Sequence, residues 1–593
     1  MKASSRSTAQ GVLGTGRSVS EAGSASESSS SGHATPSTLG LPTIPRALRL
    51  GIIIACALIA FAAMLDVLSF GHGRDQSIYT LVARETLAGG MPYRDAFDFK
   101  PPGIFLIYAL GRLLSGSSPL GVRGLEVVAM LANCAVLLRL AKRELGDEII
   151  GWIALAMTCG IHAQLDFWHT GQPESFGGPM GLWALAFACE AGRSSDARRK
   201  VRLYLLMGML CGLAGLMKPP LVGAAPIAAL LAAWIDLGRP GASDSLAARW
   251  LVAGKALGWV ALGTLTPIVL IAAWFAARGA LSDLHQVLFI FTPQYTKISW
   301  QGANPIRMLY HGLVEWLTVY SSAILAGFIL TAIAPWQVRS RPLLVALYAL
   351  CGIHVLGVVM QAKFFPYHWA ATFPPTALLA GVGYAWIIRR AAQRDVVLGV
   401  AVTLLCAGVA SVHAPVPNMG QVLLQRASQR LDLALAPDSA ERTRQIDLLA
   451  SIADVNACDN RAAAAIVARW VPKSQPILVW GFEPAVYDLA DRPLSTRYVY
   501  NVPQRAIWSK EPMRAALMRD LAAKPPAAIV VEHNDVFPFV TGDTLDSFAS
   551  LEEFGELDDL LHDDFKLVGV AGDLEVWVLD DVVNSVRALG EPL

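Results

Sequence analysis

An aspartate follows closely on the first long apolar run of the chain, at Asp75 in Gly73-Arg74-Asp75-Gln76. An ionised carboxylate at the edge of a lipid bilayer is costly unless it is hydrated, paired or functional. Asp75 could act as a general base that takes a proton from an attacking hydroxyl. It could also cap a helix that is predicted to begin near Ser77, and the two roles are compatible.

Three lysines stand at the ends of apolar runs, each close to a proline or an aromatic residue. Lys100 and Lys218 both occur in a Lys-Pro-Pro sequence, and Lys363 precedes two phenylalanines. Lysine binds phosphate as a point charge, although a single boundary lysine is typical of an anchor that extends its ammonium to the headgroups. Because these three lie where other cations are scarce, the sequence favours contact of one or two of them with a lipid phosphate.

Further polar residues in the same segments could bind a substrate. His169 and Gln172 could hydrogen-bond a sugar, and Glu174 could orient a lysine or a second carboxylate; the alternative is a polar turn that caps the next apolar run. His368 stands in an aromatic-rich stretch, which is more typical of an interfacial residue than of a catalytic one. The remaining candidates for substrate binding, all in the first outer loop (residues 71–122), are Tyr79, Arg94 and Asp98.

The elements that must position these residues are membrane helices. Of the 593 residues, 54% are hydrophobic and only 16% are charged, against about 25% charged in a soluble domain. A span needs roughly 20 apolar residues, and this criterion predicts about eleven spans. They lie near 50–70, 123–141, 148–164, 175–190, 203–217, 219–236, 252–277, 312–334, 342–361, 370–388 and 396–412.

The distribution of basic residues predicts which side each loop faces. If the apolar run at 102–115 is an interfacial helix that does not cross, the Lys/Arg-rich turns all fall on one side, at 139–143, 193–202, 239–255, 339–341 and 389–394. Cytoplasmic loops carry the excess of Lys and Arg. The sequence therefore predicts a cytoplasmic N-terminus and places the candidate site residues outside the cytoplasm.

The two ends of the chain differ from the apolar middle. Residues 1–47 are rich in Ser, Gly, Ala and Thr, and we expect a disordered cytoplasmic tail. Residues 413–593 contain strand-like runs at 476–480, 528–531 and 575–579 with helical stretches between them, which indicates a small periplasmic α/β domain. The eight cysteines show no metal-ligand spacing. No metal ligand is predicted, and a divalent cation stays an open alternative.

The first outer loop resembles that of GT-C-fold glycosyltransferases, in the branch related to protein O-mannosyltransferases and to the aminoarabinose transferase of lipid A. The residues that carry the resemblance are Asp75-Gln76, Tyr79, Gly89-Gly90-Met91-Pro92-Tyr93, Lys100-Pro101-Pro102-Gly103, Arg123, the 169–174 turn, Lys218-Pro219-Pro220, the 363–368 stretch before Pro374-Pro375, and 479–487.

The resemblance implies a GT-C-like transmembrane domain over 48–412 and a hexosyl- or pentosyltransferase of a bacterial inner membrane. Such enzymes use a polyprenyl- or dolichyl-phosphate sugar outside the cytoplasm, with inversion. The acceptor would be a lipopolysaccharide, polysaccharide, lipid or protein. Asp75 matches the acidic residue near the catalytic centre, and Lys100 matches a contact to the lipid phosphate. Many members have Asp-Glu where this chain has Asp75-Gln76, which leaves Asp75 as the main candidate for the base.

Two other functions are compatible with a chain of this kind. A transporter or flippase for lipid-linked sugars usually places ionisable residues near mid-membrane, often in repeated halves, whereas here the polar residues collect at one border. A non-catalytic assembly protein of the cell envelope would be built around the tail. The net charge of +1 gives no indication of nucleic acid as a partner.

Overall fold

The computed structural model describes residues 44–240, 245–320, 322–334, 338–411, 419–436, 440–442, 444–445 and 457–588. Within these ranges, seven helical segments are long and apolar enough to cross a membrane. They are Arg46–Ser69, Leu120–Leu145, Ala197–Met217, Pro219–Leu237, Leu246–Ala277, Arg341–Gln361 and Pro366–Arg394. The predicted disordered tail at 1–47 lies almost wholly outside the described residues.

The helices of the apolar part follow the predicted spans closely. In chain order they are α1 Arg46–Ser69, α2 Arg74–Leu87, α3 Gly103–Ser115, α4 Leu120–Leu140, α5 Glu148–Gln164, α6 Asp166–His169, α7 Pro173–Arg193, α8 Ala197–Met217, α9 Ala224–Leu237, α10 Leu246–Ala277, α11 Leu281–His285, α12 Thr292–Trp300, α13 Pro305–Val314, α14 Ser322–Ile333, α15 Arg341–Gln361, α16 Phe373–Arg394, α17 Val396–Ser411 and α18 Met419–Leu435. The predicted span at 312–334 is interrupted, because a π-helical segment at Glu315–Tyr320 separates α13 from α14.

Four predicted spans coincide with helices that are shorter or less apolar than the seven: α5, α7, α14 and α17. Of these, α7 is the most enclosed, since it packs against α4, α8 and α9 and most of its residues are buried. A Cβ at Gly177 would lie 2.6 Å from Leu221 Cδ1, and one at Gly178 would lie 3.1 Å from Ala371 Cα. Small residues let helices approach closely, and a helix surrounded by protein does not need a fully apolar surface.

Helix α3 is the run that the charge distribution assigned to an interfacial position. Its 13 residues extend about 20 Å, less than the roughly 30 Å hydrocarbon core of a bilayer. It packs against α2 and α4. One face, with Ile104, Phe105 and Tyr108, is buried, whereas Leu110 and Leu113 on the other face are exposed. A short helix with one exposed apolar face is compatible with an interfacial position, and the orientation of the termini stays a prediction.

The tail folds around a four-stranded sheet of order β1-β2-β4-β3. The strands are β1 Ile477–Trp480, β2 Ala528–Glu532, β3 Phe565–Ala571 and β4 Leu574–Leu579; β1 and β2 are parallel, and β4 is antiparallel to β2 and β3. The surrounding helices are α19 Ala457–Trp470, α20 Ala485–Ala490, α21 Val502–Arg505, α22 Lys510–Ala523, α23 Pro538–Thr541, α24 Ser547–Glu552, α25 Gly555–Asp564 and α26 Asp580–Ala588. The predicted α/β arrangement is confirmed, with β3 as an additional edge strand.

The sheet region packs directly on the first outer loop. Phe97 N–H donates to the Arg497 carbonyl at 2.8 Å, and the Phe97 ring lies 5.5 Å from that of Tyr498. Asp488 accepts from Arg84 at 3.0 Å and from Arg112 at 2.6 Å. One apolar core therefore runs from α2 and α3 into the sheet.

Candidate active site

Asp75 lies in the first turn of α2. The helix begins at Arg74 after Gly73 as N-cap residue, without a side-chain cap, so the interpretation of Asp75 as the cap near Ser77 is wrong. A carboxylate in the first turn is stabilised by the helix dipole. Because Asp75 makes no cap hydrogen bond, both of its oxygens are available for other contacts. The helix ends before Gly89, whose φ of 95° turns the chain into the rest of the loop.

The Asp75 carboxylate meets three side chains that the sequence singled out. Its Oδ2 lies 3.5 Å from Lys100 Nζ, accepts from Gln172 Nε2 at 3.1 Å, and lies 3.4 Å from the Tyr79 hydroxyl. The Tyr79 hydroxyl donates at 2.9 Å to the amide oxygen of Gln172. Tyr79 and Gln172 are buried, whereas 27% of the Asp75 side chain remains exposed. A reactant can therefore reach a carboxylate whose surroundings are fixed.

Lys100 is held by its backbone and surrounded by aromatic rings. The Tyr93 hydroxyl donates to the Lys100 carbonyl at 2.8 Å. The ammonium lies 3.3 Å from the Tyr367 hydroxyl and between 5.4 and 5.8 Å from the ring centres of Tyr79, Phe99 and Tyr367. Aromatic faces attract a cation. The ammonium is thus fixed in position next to the Asp75 carboxylate.

The charge of Lys100 is secure. Burial acts to lower the pKa of this ammonium, but the Asp75 carboxylate, together with Tyr367, Tyr79 and Asp98, outweighs the burial. The pKa of Lys100 is therefore raised well above its usual value. A lysine with such a pKa is protonated throughout the neutral range. It can therefore present a full positive charge to an anionic group.

Tyr367 connects this cluster to a second one. Its ring centre lies 5.4 Å from Lys100 Nζ and 5.3 Å from Lys218 Nζ, and the His169 ring stacks on it at 5.8 Å. The sequence reasoning missed Tyr367, because an aromatic residue at a membrane border is by default an anchor. Its position between Lys363 and His368, two residues that were singled out, was the available signal.

Lys218 and Glu174 form a buried ion pair across the helix ends of α8 and α7. Lys218 Nζ donates to Glu174 Oε1, and both side chains are largely buried. Burial lowers the pKa of Lys218 to about 8, although the Glu174 carboxylate acts in the opposite direction. The expected orientation of a lysine by Glu174 corresponds to this pair.

Asp98 faces the sheet region. Its Oδ1 accepts from the Tyr500 hydroxyl at 3.1 Å, and the side chain is buried. Burial raises the pKa of Asp98 to about 6, against the opposing effect of the Lys100 ammonium. Tyr500 was not identified from the sequence, since its segment shows no catalytic motif.

Three of the sequence candidates lie at the edge of this cluster or away from it. Lys363 donates to the Phe539 carbonyl at 2.7 Å, its ammonium lies 3.9 Å from the Tyr295 ring centre, and burial lowers its pKa to about 8. Arg94 pairs with Asp95 at 2.9 Å and donates to the Arg278 carbonyl. His368 is buried behind Tyr367, with ring centres 4.4 Å apart.

Gln76 fixes the second outer turn (residues 166–174). Its amide nitrogen lies 3.0, 3.2 and 2.7 Å from the carbonyl oxygens of Phe167, Trp168 and Thr170. An ionised glutamate has no proton to donate to these carbonyls. The glutamine in Asp75-Gln76 therefore has a structural role that a carboxylate at this position would not perform.

A second network of buried hydrogen bonds, centred on Glu126, also holds the second outer turn. Glu126 accepts from Arg123 at 2.8 Å, from the Gly171 N–H at 2.5 Å, and contacts His162 at 2.9 Å. Arg123 also donates to the Thr170 hydroxyl at 3.0 Å. Satisfied buried networks rigidify their surroundings, so Gln172, one residue further on, is held at Asp75.

The described residues around Asp75 include few side chains that could bind a metal ion. Among the residues that the structure describes, no three His, Cys, Asp or Glu side chains are grouped as metal ligands. The arrangement instead offers one accessible carboxylate, Asp75, and two ammonium groups, Lys100 and Lys218, around one tyrosine ring.

Known proteins share this arrangement of elements. The structure of ArnT from Cupriavidus metallidurans bound to undecaprenyl phosphate matches with a TM-score of 0.51 and 17% identity, over 90% of this chain and 99% of that chain. The apo form matches with 0.52 and 16%, over 91% and 99%. The chain has the GT-C fold of ArnT. The expected fold class is thereby confirmed over both the helical bundle and the sheet region.

A family model adds a sequence match within this GT-C fold. The model for dolichyl-phosphate-mannose-protein mannosyltransferases matches residues 99–260. The match includes Lys100, the second outer turn with Gln172 and Glu174, and Lys218. It ends inside α10, so Asp75 and Tyr367 lie outside the matched residues.

Proposed function

We propose that this chain is a membrane glycosyltransferase that takes a sugar from a polyprenyl-phosphate donor. The observation that supports this most is the contact between a partly exposed carboxylate, Asp75, and a permanently charged ammonium, Lys100, at 3.5 Å. The likeness to a structure bound to undecaprenyl phosphate and the match to a mannosyltransferase family agree with this donor class.

The proposed reaction is a single displacement. The acceptor hydroxyl gives its proton to Asp75 while its oxygen forms a bond to the anomeric carbon of the sugar. The bond from that carbon to the phosphate oxygen breaks, and the electron pair leaves with the polyprenyl phosphate. Lys100 stabilises the charge that develops on the phosphate, and Lys218 binds the phosphate of the donor. Tyr79, His169 and Gln172 are the candidates for binding the sugar, and Asp98 and Tyr500 for contact with the acceptor.

Lys363, Arg94 and His368 have auxiliary roles in this proposal, because they lie at the edge of the Asp75 cluster or away from it. Lys363 could reach the headgroup region beside Tyr295, and Arg94 fixes the first outer loop to α10. His368 packs behind Tyr367. We propose that the site faces the periplasm of a bacterial inner membrane, with the acceptor a glycan, lipid or protein there.

The test is a transfer assay with a panel of polyprenyl-phosphate sugars. We expect Asp75→Asn to reduce transfer by at least a hundredfold, because general-base catalysis typically contributes about 10²–10⁴-fold. The matched control is Asp491→Asn, since Asp491 is an exposed aspartate far along the chain that pairs with Lys473. Near-normal transfer by Asp75→Asn would remove Asp75 from the base role, and movement of donor lipid across vesicles without any transfer would favour the transporter.

A further inference from the structure

A small polar pocket lies inside the helix bundle, next to the ion pair of Glu174 and Lys218. Side chains of α4, α5, α7 and the start of α16 surround it, and its volume is about 30 Å³. The polar residues that line it are Asn133, Thr158, His162, Glu174 and Ser175. A pocket of this volume holds about one water molecule.

Four buried oxygens in the lining have no hydrogen-bond partner among the described residues. They are Asn133 Oδ1, Thr158 Oγ1, Glu174 Oε2 and Ser175 Oγ. Each of these side chains belongs to a residue that is more than nine-tenths buried. Buried polar atoms are nearly always hydrogen-bonded, to protein or to ordered water, so these four indicate a ligand that can bond to all of them.

The chemistry of the four oxygens matches one molecule of water. Asn133 Oδ1 and Glu174 Oε2 can only accept, whereas the hydroxyls of Thr158 and Ser175 can donate. Water donates twice and accepts twice. A sodium ion would also suit four oxygens, but the Glu174 carboxylate is already neutralised by Lys218. An added cation would therefore lack a counter-charge in a low-dielectric interior.

We propose that this pocket binds one water molecule that fixes the Glu174 carboxylate. Glu174 offers Oε1 to Lys218, and its Oε2 bonds to the water. Asn133 and the two hydroxyls hold the water in turn. With both oxygens bonded, the carboxylate is held in the orientation that keeps the Lys218 ammonium beside Tyr367. The role of these three residues, Thr158, Asn133 and Ser175, is thus to position Lys218. This role rests on the proposed function.

The first test locates the water directly and does not depend on activity. A high-resolution map of the full chain in lipid nanodiscs should show a peak within hydrogen-bond distance of Asn133 and Glu174. Thr158→Val removes one hydroxyl at nearly constant shape and should weaken or displace the peak. A map of the unaltered chain in which these side chains bond to one another, without a peak, would overturn the proposal.

The second test measures the effect on Lys218. Thr158→Val, and Ser175→Ala as a second variant, should raise the donor KM several-fold with little change in kcat. The control is Thr264→Val, because Thr264 is a buried bundle threonine whose hydroxyl already donates to the Val260 carbonyl. Equal effects in the control and in both pocket variants would reduce the pocket to general packing and contradict the positioning role.

Replacing sodium by choline in both tests distinguishes water from a cation. A peak and a donor KM that do not change are expected for water. A peak that disappears, or a KM that rises without sodium, would overturn the assignment to water. If no donor supports transfer at all, the proposed function fails, while the map still decides whether the water is present.

Discussion

Asp75 and Lys100 restrain each other in the absence of substrate. The carboxylate lies 3.5 Å from the ammonium, and it helps to keep the pKa of Lys100 above its usual value. In the proposed reaction the donor phosphate competes for the ammonium. Asp75 then has an oxygen free for the proton of the acceptor hydroxyl, so donor binding prepares the base.

The lowered pKa of Lys218 predicts that donor binding depends on pH. Burial lowers its pKa to about 8, so the ammonium is charged below that pH and becomes neutral above it. The charged fraction falls about tenfold per pH unit beyond the pKa, and we expect the donor KM to rise between pH 7 and pH 9. Lys100, whose pKa is raised, keeps its charge in this range.

The matched variant for this prediction is Lys218→Arg. A guanidinium stays protonated at all these pH values, so the rise of the donor KM with pH should disappear. The same rise in Lys218→Arg would assign it to another group near the site. The titratable groups that act on Lys218 or contact it are Glu174, Lys100, Asp75, Tyr367 and His368.

At the scale of elements, the sheet region holds the helix that carries Asp75. Arg74, the residue before Asp75, reaches Glu483 at 2.6 Å and Glu532 at 3.4 Å. Both carboxylates are buried, and Asn460 donates to Glu483 at 2.6 Å. The first turn of α2 is therefore fixed from the sheet side by charged hydrogen bonds, which are stronger than neutral ones.

We expect Glu483→Gln to lower kcat about tenfold, because it keeps the shape of the side chain but removes the nearer of the two charges that hold Arg74. Breaking one partner of a buried pair typically costs about 3–5 kcal/mol, so thermal unfolding should be measured together with transfer. Asp491→Asn in the same region serves as control. Normal kcat in a folded Glu483→Gln protein would show that the sheet region does not position Asp75.

The elements differ in how far the sequence predicts them. Apolar length alone locates the predicted membrane spans, and short strand-like runs of apolar residues locate β1, β2 and β4. Strand β3 was missed because Lys566 and Gly569 interrupt its apolar pattern and its register shifts between Leu567 and Gly569. An edge strand of this kind depends on pairing with β4 rather than on its own composition.

The candidate site was predictable only where its residues lie close together in the sequence. The first outer loop contains Asp75, Tyr79 and Lys100 within one segment, and its motif was visible in the sequence. Tyr367 and Tyr500 come from segments hundreds of residues away, and their contacts follow from packing that no local pattern encodes. The same applies to Gln76, whose three carbonyl partners lie in the second outer turn.

At the scale of the whole molecule, the basic turns lie at the opposite helix ends from the candidate site. Arg139, Glu190 and Arg199 form ion pairs at the ends of α4, α7 and α8, whereas Lys218 and Gln172 lie at the other ends of α8 and α7. A positive-inside arrangement thus predicts that the site and the sheet region both face the periplasm.

Cys458 allows this orientation to be measured. It is the one exposed cysteine of the eight, while the other seven are buried or partly buried in the helices. A membrane-impermeant thiol reagent should label Cys458 in cells whose outer membrane alone is opened, and Cys458→Ser should abolish the labelling. In the Cys458→Ser background Arg198→Cys, at an exposed position in the first turn of α8, should react only after the inner membrane is permeabilised. The reverse pattern would place Asp75 and Lys100 on the cytoplasmic side, where the proposed acceptors in the periplasm could not reach them.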